Sequence, residues 1–309
     1  MSVRARAVVF AYHDVGVRCL KALLSGGVEV PLVVTVADDP REQQWFASVA
    51  ATARDYGLPL ALPENPNTER FAAELAALDA DFLFSFYYRA MLGAPVLASA
   101  GRGALNMHGS LLPKYRGRAP VNWAILNGER ESGATLHYMV ARADAGDIVD
   151  QQVVPILADD DAREVYAKVT AAAEMVLVRS LPGLLAGNGP RRAQPVIAGQ
   201  YFGRRGPQDG RIDWHWPARR IHDLVRAVAP PFPGAFGEIG GERWWLYRTR
   251  VAGHTLAPGQ PRLLGTAGEC QIACTDGSVL RLLEAANATG RLDLARLAGA
   301  LEARPVPLG

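Results

Sequence analysis

Ala7-Val8-Val9-Phe10-Ala11 leads into Tyr12-His13-Asp14. An amphipathic stretch over residues 16–24 follows, then Gly26-Gly27, then Val28-Glu29-Val30-Pro31-Leu32-Val33-Val34-Thr35-Val36. An unbroken apolar run of five reads as a strand buried on both faces. The paired glycines stop the helix predicted between the runs, and the β-branched second run reads as another strand. A strand, a helix and a strand in that order make a crossover unit with parallel strands.

The same alternation continues outward. Residues 41–56 read as a helix, 58–62 as a short strand, 71–78 as a helix, and 81–86 and 104–108 as strands. The pattern predicts an α/β fold with a doubly wound, mostly parallel sheet covered on both faces. Residues 134–140 and 148–156 read as two further strands. Residues 159–185 read as a long helix stopped by Gly187-Asn188-Gly189-Pro190. The texture then changes. Residues 190–213 are rich in Gly, Pro and Arg and read as a linker. A helix is expected over 221–228, then the Pro230-Pro231-Phe232-Pro233-Gly234 turn. Short strand-like runs follow at 243–247, 271–274 and 279–283, with a final helix at 292–301. This predicts a second, smaller β-barrel domain, with Trp244-Trp245 in its core. The expected domains are 1–189 and 214–309, joined by the 190–213 linker.

With 309 residues the chain exceeds what one core usually serves, which agrees with two domains. Its 49% hydrophobic and 21% charged residues are those of an ordinary globular protein, and the net charge of +2 argues neither for nor against nucleic acid or membranes. Cys19, Cys270 and Cys274 lack paired spacing and read as reduced thiols of a cytoplasmic protein. The first apolar run is too short for a signal peptide, and no stretch is long enough to span a bilayer. His137, His215, His222 and His254 are scattered without metal-ligand spacing. They read as structural or surface residues, and no metal is expected.

The densest chemistry lies between Phe84 and Asp147. Asn106-Met107-His108 closes a strand, and a side-chain period of two puts Asn106 and His108 on one face. Ligands of open α/β sheets bind beyond the carboxyl ends of the strands. A carboxamide and an imidazole there can hold a developing oxyanion and move a proton. The plainer reading has both side chains bonded to nearby backbone. Gly109-Ser110-Leu111-Leu112-Pro113-Lys114-Tyr115-Arg116-Gly117 can wall a pocket for a flat, partly apolar ligand, or be a plain connection. In Arg142-Ala143-Asp144-Ala145-Gly146-Asp147 either aspartate could pair with His108 and favour its imidazolium; turn chemistry does not separate them. The first strand–helix turn lacks the glycine fingerprint of a dinucleotide site, and no Walker-type phosphate loop is present. His13-Asp14 reads as a solvated turn.

Asn106-Met107-His108-Gly109-Ser110-Leu111-Leu112-Pro113 with Asp144-Ala145-Gly146 downstream resembles the signature of the folate-dependent formyltransferase family, whose members formylate glycinamide ribonucleotide, methionyl-tRNA and nucleotide-linked amino sugars. The resemblance makes Asp144, rather than Asp147, the catalytic partner of Asn106 and His108. It implies the family's Rossmann-like catalytic domain and an OB-like barrel. Phe84-Ser85-Phe86-Tyr87-Tyr88-Arg89, Lys114-Tyr115-Arg116-Gly117-Arg118-Ala119-Pro120 and Phe202-Gly203-Arg204-Arg205 are similar to the branch acting on UDP-4-amino-4-deoxy-L-arabinose in lipid A modification and polymyxin resistance. So are Phe10-Ala11-Tyr12-His13-Asp14, Arg226-Ala227-Val228 and Pro233-Gly234-Ala235-Phe236, so the likeness covers nearly the whole chain.

That branch implies 10-formyltetrahydrofolate as co-substrate. Its pterin would lie against Ala90, Met91 and Leu92, then Leu111, Leu112 and Pro113, with Arg118 close by and Val140, Ala141, Arg142, Ala143 and Asp144 opposite. Arg204 and Arg205 carry planar forks suited to the phosphates of a sugar nucleotide; the alternative is a solvated pair in the linker. The branch carries a decarboxylase domain after its transformylase, absent from these 309 residues. Two readings follow: a stand-alone transformylase, for which a separate decarboxylase chain is a candidate partner, or one piece of a bifunctional protein. Transfer to another nucleotide-linked amino sugar, transfer to methionyl-tRNA, or hydrolysis of the formyl-folate are the alternatives. The tRNA reading needs a basic face around Arg219, Arg220, Arg226, Arg243, Arg248 and Arg250; the nearly neutral balance speaks against a nucleic-acid partner.

Overall fold

The computed structural model describes residues 4–38, 44–195, 201–302 and 304–308. The chain divides into two compact units, the first of residues 1–120, 131–155 and 167–203, the second of 121–130, 156–166 and 204–309.

The first unit runs β1 (Arg6–Ala11), α1 (His13–Ser25), β2 (Glu29–Val34), α2 (Val49–Asp55), β3 (Leu60–Ala61), α3 (Glu69–Ala76), β4 (Ala80–Phe86), α4 (Ala94–Leu97) and β5 (Ala100–His108). In chain order there follow the short β6 (Arg116–Gly117), the helix α5 (Pro120–Leu126), which from residue 121 belongs to the second unit, then β7 (Glu131–Tyr138), β8 (Ile148–Pro155), α6 (Ala162–Leu185), whose residues up to 166 belong to the second unit, and β9 (Tyr201–Phe202). The sheet order is β3-β2-β1-β4-β5-β7-β8. The first five strands pair in parallel; β7 and β8 are antiparallel additions beside β5. The mostly parallel α/β sheet is as expected. Val8, Val9, Phe10, Phe84 and Phe86 are fully buried, as strands covered on both faces must be.

Local chemistry sets the helix limits. α1 stops at Gly26 with Gly27 at φ +77°. The helix expected over 41–56 is shorter: Ser48 accepts from the Ala51 amide and starts α2 at Val49. Residues 41–43 of that expectation lie outside the described residues. Trp45 and Phe46 serve a different purpose. His13, expected in a solvated turn, is buried at φ +66°, stacked on Phe46 at 4.3 Å and edge-on to Trp45 at 4.6 Å. Thr68 caps α3 through the Phe71 amide. α5 was not anticipated, although a proline at its first position is a helix-start signal.

Burial pushes His13 down to about 4; Asp14 offsets part of this and Arg89 adds to it. The folded chain thus holds a neutral imidazole, whereas the unfolded one titrates near its ordinary value. Stability from this group is present above about pH 6.5 and is lost as pH falls toward about 4, a total of about 3 kcal/mol. Urea midpoints at about pH 7 and about pH 4.5 should separate widely for the wild type and less for His13→Phe. Equal pH dependence in the two proteins would refute this account.

The second unit contains α7 (Ala218–Ala227), β10 (Ala235–Ile239), β11 (Glu242–Thr255), β12 (Arg262–Thr266), β13 (Glu269–Ala273), β14 (Ser278–Asn287), β15 (Gly290–Arg291), α8 (Leu294–Glu302) and β16 (Val306–Pro307). Among the described residues its antiparallel path, β10-β11-β14-β13-β12-β16, stays open, so the expected small barrel is a half-barrel. On β11 Trp244 is buried and Trp245 only partly so, the alternation of a strand with one covered face. α8 lies close on β12: a Cβ at Gly265 would stand 1.9 Å from the Ala298 carbonyl oxygen. All three cysteines are buried and unpaired. No described helix is long and apolar enough to cross a membrane.

The stretch 190–213, read as a linker, carries structure. Arg192 exchanges two backbone hydrogen bonds with Ile148, β9 pairs with β6, and a 3-10 turn spans Pro207–Gly210. Residues 196–200 lie outside the described residues.

Candidate active site

Parallel pairing carries β5 to the carboxyl edge of the sheet, where it delivers Asn106 and His108 on one face. The antiparallel register then sets His137 of β7 opposite Asn106 and Thr135 opposite His108. Cross-strand partners share a face, so these four side chains converge. The connection from β7 to β8 brings in Asp144, which sits at φ +50°, a conformation that costs a non-glycine residue energy.

Asp144 is the hub. Its Oδ1 lies 3.6 Å from His108 Nδ1, 3.5 Å from His137 Nε2 and 3.4 Å from Asn106 Nδ2. Its Oδ2 accepts from the Gly117 amide at 2.9 Å. Burial pushes the carboxyl up, but the charge of His108, the hydrogen bond and charge of His137, and the Gly117 N–H outweigh it. Asp144 is held well below the usual carboxylate range and is ionised at neutral pH. Asp147, the other aspartate of the loop, gives its main-chain carbonyl to the Tyr138 amide.

The imidazoles are fixed by backbone. His108 donates Nε2–H to the Tyr115 carbonyl at 2.8 Å. Its Nδ1 therefore faces the carboxylate, a pairing that attracts only when Nδ1 carries a proton. His137 donates Nδ1–H to the Tyr138 carbonyl at 2.8 Å, and its Nε2 lies 3.1 Å from Asn106 Nδ2. His137, read in the sequence as structural or surface, is 1% exposed and belongs to this cluster. The loop after β5 is held by the same face: Thr135 Oγ1 donates to the Ser110 carbonyl (2.6 Å) and accepts from the Leu112 amide (3.1 Å). Gln151 Nε2 donates to the Leu112 carbonyl at 2.9 Å.

The expected pterin-facing residues fall into distinct settings. Leu92 is buried in a core cluster with Phe10, Val34 and Val96, against which Tyr88 and Met139 also pack. The segments 88–92 and 139–140 thus share one cluster, with Met91 and Val140 exposed beside it. Ala90 is half-buried. Asn67, a residue the sequence did not single out, grips this turn by donating to the Met91 carbonyl (2.8 Å) and accepting from the Gly93 amide (2.6 Å). Leu112 is buried; Leu111, Pro113 and Ala143 are half-buried; Arg118, Ala141 and Arg142 are exposed. Arg204 and Arg205 belong to the second unit. Arg204 is exposed, but Arg205 stacks on Trp123 at 4.7 Å and donates to the Asp209 carbonyl at 2.9 Å, so its fork is partly committed.

Chemically, a carboxylate holding two imidazoles and an amide can stabilise an oxyanion and relay a proton. The family described as formyl transferase matches residues 5–181, and its C-terminal domain matches residues 205–292. Among solved structures, an N-formyltransferase from Helicobacter canadensis, in complex with folinic acid and dTDP-3-aminofucose, is similar at TM-score 0.72 and 20% identity, over 94% of this chain and 100% of that one. WlaRD, a sugar 3N-formyl transferase with dTDP and 5-N-formyl-THF, matches at TM-score 0.72 and 20% identity, over 94% and 99% of the two chains. A 4-N formyltransferase from Francisella tularensis matches at TM-score 0.61 and 22% identity, over 75% and 91%. At these identities the likeness is one of fold.

Proposed function

The chain belongs to the formyl transferase family, and on that premise we propose that it moves the formyl group of 10-formyltetrahydrofolate onto the 4-amino group of UDP-4-amino-4-deoxy-L-arabinose. The observation that carries the reading is the convergence of Asn106, His108 and His137 on the Asp144 carboxylate at the end of β5. The amine lone pair adds to the formyl carbon and forms the new C–N bond. Asn106 N–H and the protonated His108 stabilise the charge growing on the formyl oxygen. The ionised Asp144 stabilises the His108 imidazolium. The bond to the folate nitrogen then breaks, and the proton released by the amine goes to that nitrogen.

Support for a flat, partly apolar co-substrate comes from Met91 and Val140, exposed beside one cluster, and from the buried Tyr88 hydroxyl, which lacks a hydrogen-bond partner among the described residues. A pterin edge offers such a hydroxyl a partner. A nucleotide-linked amino sugar as acceptor is supported by the neighbours from Helicobacter canadensis and WlaRD. The arabinose is supported by the Phe84 to Arg89 and Lys114 to Pro120 motifs. The test is release of tetrahydrofolate with a panel of acceptors. The expected result is fastest turnover with UDP-4-amino-4-deoxy-L-arabinose. Faster turnover with another amino-sugar nucleotide would replace the sugar and keep the reaction. Turnover confined to charged initiator tRNA, or to water, would overturn the amino-sugar reading.

A further inference from the structure

We propose that Gln194 is a positioning residue for formyl transfer, acting through Asp144; this rests on the role given to Asp144 above. Three groups meet at the Asp144 loop from outside it. The two N–H bonds of Gln194 Nε2 are both spent on that loop, one on the Asp144 carbonyl at 3.0 Å and one on the Gly146 carbonyl at 2.7 Å. Gln194 Oε1 accepts from Arg116 Nη2 at 3.0 Å. Arg116, a guanidinium only 5% exposed, reaches the same Asp144 carbonyl through Nε at 3.2 Å, and the amide of the next residue, Gly117, holds the Asp144 side chain. Gln194 is itself tethered, because Arg192 exchanges backbone hydrogen bonds of 2.8 and 2.9 Å with Ile148, just beyond the loop.

The arrangement has a physical purpose. A non-glycine residue at φ +50° persists only where its surroundings over-determine it. The carbonyls of residues 144 and 146 find donors here in side chains that come from far along the chain. A primary amide is the group that can give two donors to two carbonyls and still accept from a guanidinium. Without those donors the loop relaxes, and the carboxylate leaves the point where Asn106, His108 and His137 meet.

The test is a double-mutant cycle between Gln194→Leu and Asp144→Asn, with kcat, KM and urea midpoints measured on the full chain. Gln194→Leu shortens the side chain by one atom and removes all its side-chain hydrogen bonds. It should lower kcat roughly 10- to 100-fold with both KM values nearly unchanged, since a misplacement of about 1 Å costs about 100-fold. In the Asp144→Asn background the same change should lower kcat by less than about 3-fold, because residues that act through one another are not additive. Additive losses, or a loss confined to KM, would overturn the proposal. Should Gln194→Leu fail to fold, Arg116→Lys keeps the charge, removes the Nε donor to the Asp144 carbonyl, and must show the same non-additivity. A fully active Asp144→Asn would instead overturn the role of Asp144, whatever Gln194 does.

Discussion

His108→Ala folds and turns over about 100- to 1,000-fold more slowly than the wild type, with little change in KM for the formyl donor. The size follows from what the imidazole does. His108 is 6% exposed, its Nε2–H is spent on the Tyr115 carbonyl, and its Nδ1 stands 3.6 Å from an ionised Asp144. It is thus a preorganised group aimed by two fixed partners, and such a group gains most where charge appears only in the transition state. Its removal also leaves the Tyr115 carbonyl without this donor, which lowers stability by about 1–3 kcal/mol. The urea midpoint therefore drops, and the kinetic comparison is made where the variant is folded. Near-normal kcat in such a protein would remove His108 from the chemistry. A normal kcat with a raised KM would make it a binding residue instead.

Much of this was legible in the sequence because two periodicities decide it. Unbroken apolar runs such as Ala7 to Ala11 have no stable place except a strand covered on both faces, so the sheet could be read without knowing what covers it. The period of two put Asn106 and His108 on one face in advance. His137 was not legible, because its role depends on an antiparallel register that sets it opposite Asn106, and register between strands 31 positions apart leaves no local trace. A histidine one residue before the end of the strand preceding the Asp144 loop was the available signal. Asn67 and Gln194 were invisible for a related reason: each acts by gripping main-chain carbonyls of a distant loop. Any polar residue in a Gly/Pro-rich segment looks the same in one dimension. The short α2 shows propensity overruled by a cap, since Ser48 starts the helix and leaves Trp45 and Phe46 to enclose His13.

The glycine of Asp144-Ala145-Gly146 gives the second large effect. Gly146→Ala should lower kcat by about 100-fold and stability by about 1–3 kcal/mol. Backbone freedom is not the cause, for Gly146 is not among the glycines with positive φ. The cause is space. A Cβ there would lie 2.0 Å from the Tyr138 carbonyl oxygen and 2.9 Å from its carbon, with Val140 Cγ1 at 3.4 Å. The obstructing atoms are backbone, and they cannot swing aside as a side-chain end could. Tyr138 is fixed at the close of β7 by accepting from His137 Nδ1 and by its amide's hydrogen bond to the Asp147 carbonyl. The loop must therefore yield, by at least about 1 Å, and Asp144 moves with it away from Asn106, His108 and His137. Gly101→Ala is the control: no atom lies within 4 Å of its added Cβ, and it sits on β5, the strand that carries Asn106 and His108. It should keep wild-type kcat. If Gly146→Ala loses stability but keeps kcat, the Asp144 loop tolerates displacement, and the carboxylate then acts by charge alone, without the exact placement that its hydrogen bonds impose.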